Sequence, residues 1–288
     1  MHGLLEDPTA TLGPFLVAFV VATLLSPAGV SGSFLLLPYQ VSVLGLTGPA
    51  ITPTNHLFNL IAAPAGVARY ARDGRLAWPL ALVISLSAMP GAVAGALLRM
   101  HALADPGRFK ILLGAILLAF GARLAWAAWS RRAASLAAPG DGQIRGCRLT
   151  PLRLEYEFGG TRHSLSVPVL AGLSLVIGLV GGAVGVGGGS LLAPVLVSAF
   201  ALPVHSTAGA TLTGTFVTSA ASIATFALLG TAGNLPDWRL GLAMGLGGLF
   251  GAWLGAWLQG RLPGRAIEGL LAVGTLALAA SYLVRLCG

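Results

Sequence analysis

Apolar residues run through this chain in blocks of about 20 or more, separated by short connections that carry Arg, Pro or Gly. The blocks fall at 14–46, 50–68, 76–98, 109–129, 166–203, 206–230, 240–258 and 266–284. At 1.5 Å rise per residue, about 20 apolar residues match the roughly 30 Å hydrocarbon core of a bilayer. The pattern predicts membrane helices in two groups of four, separated by a polar gap at 130–165.

The first and fifth blocks, of 33 and 38 residues, would make straight helices of about 50 and 57 Å. Each holds helix breakers at its centre. The first reads Ser26-Pro27-Ala28-Gly29-Val30-Ser31-Gly32-Ser33, and the fifth reads Gly181-Gly182-Ala183-Val184-Gly185-Val186-Gly187-Gly188-Gly189-Ser190. Both are expected to break or turn back there. Pro38 and Pro194 follow Gly32 and Gly188 by six residues, so the blocks superimpose at an offset of 156, which also pairs Gly29 with Gly185 and Leu46 with Leu202. After a four-residue insertion the offset is 160, pairing Trp78 with Trp238, Gly91 with Gly251 and Gly95 with Gly255. The chain reads as an internal duplication, with repeats at 1–129 and 166–288 joined by the linker 130–165.

Within the repeats, Gly91/Gly95 and Gly247/Gly251/Gly255 have the small-residue spacing that lets helix backbones approach closely in lipid. Within the linker, Leu152, Leu154, Tyr156 and Phe158 share one face of an alternating pattern, Gly159-Gly160 offers a turn, and 162–167 offers a return strand. A small β-hairpin outside the membrane is expected, serving as an ordered linker or a docking element and carrying no chemistry.

Composition sharpens this picture. The chain is 56% hydrophobic and only 9% charged, against roughly 25% charged in a soluble domain. A soluble globular fold is excluded, and the fold class is an all-α polytopic membrane protein. The net charge of +8 comes from basic residues scattered between apolar segments, so they read as topology signals and not as a nucleic-acid surface. Lys and Arg number three in 69–75, seven in 123–162 and two in 261–265, twelve of 17 in all, which places the 130–165 loop in the cytoplasm. The split is the same whether the long blocks cross or re-enter. Re-entrant hairpins would leave three crossings per repeat and invert one repeat relative to the other, as in many secondary transporters. Block length favours that version.

Cys147 and Cys287 have neither CxxC spacing nor neighbouring His, so no disulfide, metal or cofactor is indicated. Residues 1–11 carry Glu6 and Asp7 but no Lys or Arg. They lack a cleavable signal's basic region, and the first block is expected to stay.

Away from segment ends the predicted spans hold no Asp, Glu, Lys or Arg, and a charged proton relay is not expected. They hold instead a polar stripe, Thr211, Thr215, Thr218, Ser222 and Thr225, at spacings of 4, 3, 4 and 3 that put it on one helix face. The offset of 156 carries Thr211 to Asn55 and Thr215 to Asn59. Interhelical hydrogen bonding is the plain use of such residues, and binding is the other. The breaks supply a mechanism, because an interrupted helix offers unpaired N–H groups and a positive dipole end to an anion. Unwound backbone survives at membrane depth only where protein covers it or it lines a polar cavity. Gly29, Ser31, Gly32 and Ser33, with Gly185, Gly187, Gly188, Gly189 and Ser190, would then face a small anion held between the repeats. His56, the one titratable side chain well inside a span, would take a proton, bind the substrate, or serve structure alone; its equivalent is Leu212.

Two enzyme readings are weaker. Gly29-Val30-Ser31-Gly32 looks like the Gly-x-Ser-Gly of rhomboid intramembrane proteases, with Ser31 as nucleophile. The duplicated position reads Gly185-Val186-Gly187-Gly188, which asks for a compact backbone and not a hydroxyl. The second break also lacks the Lys of a phosphate-binding loop. The chain is expected not to be an enzyme.

At these breaks the sequence resembles the TauE/SafE family of sulfite exporters and related anion permeases, the TSUP family, over nearly the whole chain. The resemblance rests on 181–189 with Pro194, on the copy at 27–32 with Pro38, and on the two-repeat layout. It implies a multi-pass transporter in a bacterial-type inner membrane for small sulfur-containing anions such as sulfite, organosulfonates or thiosulfate. The chain departs from the family in Ser31 and Ser33, which stand where the second break has glycines, and in the insertion at 144–165. A passive anion channel or exchanger is the competing reading. A coupling ion, proton or sodium, and a homo-oligomer both stay open.

Overall fold

The computed structural model describes residues 8–46, 48–109, 111–116 and 142–262, with 266, 267 and 269. Most of the predicted segments 109–129 and 266–284, the stretch 130–141 and Cys287 lie outside the described residues. The long first block is two helices, α1 (Pro8–Leu25) and α2 (Ser33–Ser42), joined by a 3₁₀ turn at Ser26–Ala28. Then come α3 (Ile51–Arg72) and α4 (Trp78–His101). After the linker the fifth block is also two helices, α5 (Val167–Val184) and α6 (Gly188–Phe200), followed by α7 (Val204–Leu229) and α8 (Trp238–Gln259). Both interruptions are made by glycine in the left-handed region, Gly29 at φ 73° and Gly185 at φ 86°, where a Cβ is disfavoured.

Among the described residues five helices are long and apolar enough to cross a membrane: α1 with its 3₁₀ turn, α4, α5, α7 and α8. The helix α3 is as long, at 22 residues, but Thr52, Thr54, Asn55, His56 and Asn59 make it more polar. All five of those side chains are buried, whereas Leu82, Leu86 and Met89 on α4 and Leu242, Leu246 and Phe250 on α8 are exposed. An apolar outside over a partly polar inside is what lipid demands of its solute.

Close glycine contacts give the direction of each helix. Gly91 and Gly95 of α4 lie against the carbonyls of Leu175 and Leu179 on α5, and Gly214 of α7 lies against Ile84 of α4. Ser222 of α7 donates to the Ala92 carbonyl at 3.5 Å. Hence α4, α5 and α7 run parallel. Gly247 and Gly251 of α8 lie against the carbonyls of Phe15 and Phe19 on α1, while Gly241 and Gly245 lie against Leu57 and Ile61 of α3. Hence α1, α3 and α8 run parallel to one another. Gly66 of α3 meets Leu212 of α7, and Gly209 of α7 meets Tyr70 of α3, so the two sets oppose each other.

The chain turns back at both breaks. Gln40 of α2 bonds Asn55 near the start of α3, while Ser31 bonds Asn59 one turn deeper, so α2 runs against α3 and α1. Gly189 packs at Thr211–Thr215 of α7 and Gly188 bonds Thr218, although only three residues separate α6 from α7. So α6 runs against α7 and α5. The two hairpins enter from opposite sides, and each half lends one helix, α4 or α8, to the other half's hairpin.

The linker forms a three-stranded antiparallel sheet, β1 (Arg145–Leu149), β2 (Arg153–Phe158) and β3 (Thr161–Ser166), in the order β1-β2-β3. The strand β1 was not expected: its five residues are all exposed, so it shows no apolar alternation. Leu154 and Tyr156 point inward, but Leu152 precedes β2 and is 70% exposed, against expectation. The sheet docks on one end of the helices. Ile144 donates to the Gly74 carbonyl at 2.9 Å, and the Tyr156 and Ser206 hydroxyls lie 3.0 Å apart. That end is the sheet side, and the opposite end is the far side.

Candidate functional site

The two hairpin tips meet inside the molecule. The Ser31 N–H donates to Ser190 Oγ at 2.9 Å, and Ser33 Oγ donates to the Val186 carbonyl at 3.1 Å. Glycine makes this approach possible on the second tip. A Cβ on Gly189 would strike the backbone of Thr211 and Thr215, and one on Gly187 would lie 2.6 Å from Thr215 Cγ2. A Cβ on Gly32 would press on Phe58 at 3.0 Å.

Around the tips stand the stripe residues. Thr211 Oγ1 donates towards the Gly29 carbonyl at 2.9 Å, and Thr215 Oγ1 lies 2.9 Å from Ser190 Oγ. Thr218 Oγ1 accepts from the Gly188 N–H at 3.1 Å, which serves one of the first-turn amides that a helix cannot satisfy itself. Asn59 takes the Ser31 hydroxyl on Oδ1 and reaches the Gly185 carbonyl with Nδ2 at 3.5 Å. Asn55 packs its Cβ where a side chain on Gly185 would sit. The sequence equivalents Thr211 and Asn55 thus each lie against the left-handed glycine of the opposite hairpin.

Every polar side chain of this cluster is buried, and no Asp or Glu is among the described buried residues. Most donors are used internally. His56 has both ring nitrogens occupied, by Ser219 Oγ at 3.1 Å and the Gly182 carbonyl at 3.2 Å, so it ties α3 to α5 and α7. Ser31 shares its hydroxyl with an amide oxygen and with Ser33, neither of which is a base that could activate a nucleophile. Ser222 and Thr225 turn towards helix carbonyls away from the tips. Asn55 differs: Gln40 donates to its Oδ1 at 2.5 Å, leaving Asn55 Nδ2 and Gln40 Oε1 buried without a partner among the described residues. Buried polar atoms are nearly always satisfied, so an orphan donor and acceptor beside the tips set this pair apart from the rest of the cluster.

Two residues escaped the sequence reading. Gln40 has the apolar Leu196 as its sequence equivalent, and the duplication did not flag it. Arg99 falls one residue past the predicted end of its segment, yet α4 extends to His101 and buries it. It remains at a segment end, as expected of charge here, but its burial there was not legible in the sequence.

Neither a curated protein nor a solved structure matches the chain. A family model does: residues 14–282 match the family described as Sulfite exporter TauE/SafE, a span holding both hairpins and the polar cluster between them, and the chain belongs to that family of multi-pass membrane transporters.

Proposed function

We propose that the protein is a secondary permease for small sulfur-containing anions, such as sulfite, an organosulfonate or thiosulfate, which bind where the two hairpin tips meet. The observation that carries this reading is the contact of the two glycine-broken tips, Ser31 with Ser190 and Ser33 with Val186, beside the unpartnered Asn55 Nδ2. Broken helices at a midplane site suit an anion, because their positive dipole ends point towards the ligand. The ligating set is Gly29, Ser31, Gly32, Ser33, Asn55 and Asn59 from one half, and Gly185, Gly187, Gly188, Gly189, Ser190, Thr211 and Thr215 from the other. His56 braces this set. The opposed directions of the two halves support an inverted repeat, 1–129 against 166–288, that rocks about the site. The excess of Arg and Lys in the sheet-side connections supports a cytoplasmic sheet in an inner membrane.

The test is flux of sulfite, thiosulfate, a sulfonate, sulfate, acetate and chloride in proteoliposomes, under imposed proton, sodium or counter-anion gradients. Saturable uptake of one sulfur anion, weakened by Asn55→Leu and by Thr211→Val, is expected. Flux that never saturates and shows no counterflow would mean a channel, and flux of none of these anions would sink the permease. Membrane-impermeant maleimide is expected to label Cys147 and Cys287 from opposite faces; labelling from one face would remove the inverted layout.

A further inference from the structure

The last turn of α4 carries a cation that the tips do not use. Arg99 is 1% exposed. Its Nε donates to Thr52 Oγ1 at 3.0 Å, its Nη1 donates to the Leu103 carbonyl, and its guanidinium lies 4.1 Å over the Phe109 ring. Among the described residues its Nη2 has no hydrogen-bond partner, and the two ion pairs of the sheet side, Arg69 and Arg75 with Asp73, do not include it. Taking a charged group out of water costs several kcal/mol unless it is paired, and a guanidinium does not escape by losing its proton. The group is held on three sides, and its Nη2 is buried without a partner.

Its position links it to the second tip. Thr52, which holds Nε, sets its own carbonyl against Gly185, and Asn55 follows three residues later on the same helix. Two buried donors without partners, Arg99 Nη2 and Asn55 Nδ2, therefore belong to the first turns of α3 and the helix end packed on them. At the offset of 160 the equivalent of Arg99 is Gln259, whose amide is filled. Its Nε2 donates to the Pro27 carbonyl at 2.7 Å and its Oε1 accepts from Arg75 at 3.0 Å. Arg75 is itself paired with Asp73 at 2.7 Å.

We propose that Arg99 is a docking site for a small free oxyanion at the far end of the pathway, where the anion rests on Nη2 before reaching Asn55 and the tips. The direction of travel rests on the permease reading; the anion binding does not. Nη2 presents two N–H donors of the kind that hold sulfur and phosphorus oxyanions through charge-assisted hydrogen bonds.

The experiment compares the full-length protein with Arg99→Gln, which copies the other half, and with Arg99→Lys. Crystals soaked in bromide are read by anomalous scattering, and sulfite KM is measured in proteoliposomes. Bromide is expected at Nη2 in the wild type and absent in Arg99→Gln. Sulfite KM is expected to rise about 10- to 100-fold in Arg99→Gln with the maximal rate largely kept, as the loss of a charge-assisted bond predicts, and Arg99→Lys is expected to recover part of it. No bromide at Arg99 in the wild type, a phospholipid headgroup there instead, or an unchanged KM in Arg99→Gln would each overturn the docking site. Bromide at Arg99 in a protein that moves no sulfur anion would sink the permease and keep the site. If Arg99→Gln does not fold, bromide on the wild type and the KM of Arg99→Lys decide.

Discussion

The hairpin tip at 26–33 and the tip at 185–190 use one backbone device and load it differently. Each has a left-handed glycine, Gly29 or Gly185, covered by the first turns of a helix from the other half of the chain. The first tip carries hydroxyls that reach across, Ser31 to Asn59 and Ser33 to Val186. The second has glycines at the equivalent positions 187 and 189 and lets helix α7 come to backbone contact. Their surroundings differ as well: on the sheet side the Arg75 charge is spent on Asp73 and Gln259, whereas on the far side Arg99 keeps a buried N–H group without a partner. A near-symmetric backbone thus carries two chemically unequal ends.

The sharpest way to break the comparison is to give the second tip a side chain. Gly189→Val drives a Cβ into the Thr211 carbonyl and the Thr215 nitrogen, and should cost about 3 kcal/mol, as overpacking of rigid backbone does. Its counterpart Ser33→Gly loses the hydroxyl's bonds to Val186 and Ser31, about 1 to 2 kcal/mol. Melting curves in detergent compare the two, and equal losses would dissolve the distinction between the tips. Next is Asn59→Leu, which strands the Ser31 hydroxyl and the Gly185 carbonyl. It should cost about 2 kcal/mol and reduce flux at least about tenfold; unchanged flux would take Asn59 out of the site.

A smaller effect is expected at the sheet, which caps the sheet side alone. Tyr156→Phe removes the bond to Ser206, about 1 kcal/mol at neutral pH. Burial pushes the Tyr156 hydroxyl up from 10.0 to about 12. The unfolded chain therefore ionises first as pH rises, and the stability this group contributes is present below pH 10.0 and lost on approach to about 12. Unfolding midpoints of wild type and variant should converge over that window, and parallel curves would mean that the tyrosine is not sealed under the sheet. The least effect belongs to Asp73→Asn. The Arg69 and Arg75 pairs it breaks are partly exposed, worth under about 1 kcal/mol. It should leave melting almost unchanged while freeing a sheet-side cation, seen as a lower KM for anion presented from that side.

The polytopic class, the two breaks and the polar faces were legible in the sequence because each is a local property. Block length is set against membrane thickness, glycine and proline against helix continuity, and Thr spacing against the helical repeat. The offset of 156 even paired Asn55 with Thr211, which take corresponding places against Gly185 and Gly29. Local patterns carry no information about charge state or partner at a distance. Arg99 reads as a segment-end residue until α4 is seen to extend past it and Thr52 and Phe109 close over it. Gln40 reads as one polar residue among apolar ones until Asn55 faces it. The strand β1 shows no apolar alternation because it lies at a sheet edge in solvent. His56 reads as a titratable candidate until Ser219 and Gly182 occupy both of its nitrogens. What the sequence by itself determined is where the chain is apolar, where it breaks and which faces are polar. Only the tertiary structure decided that the breaks touch each other and which polar atoms are left over there, because those contacts join residues more than 150 positions apart and follow from packing, which no window along the chain can express.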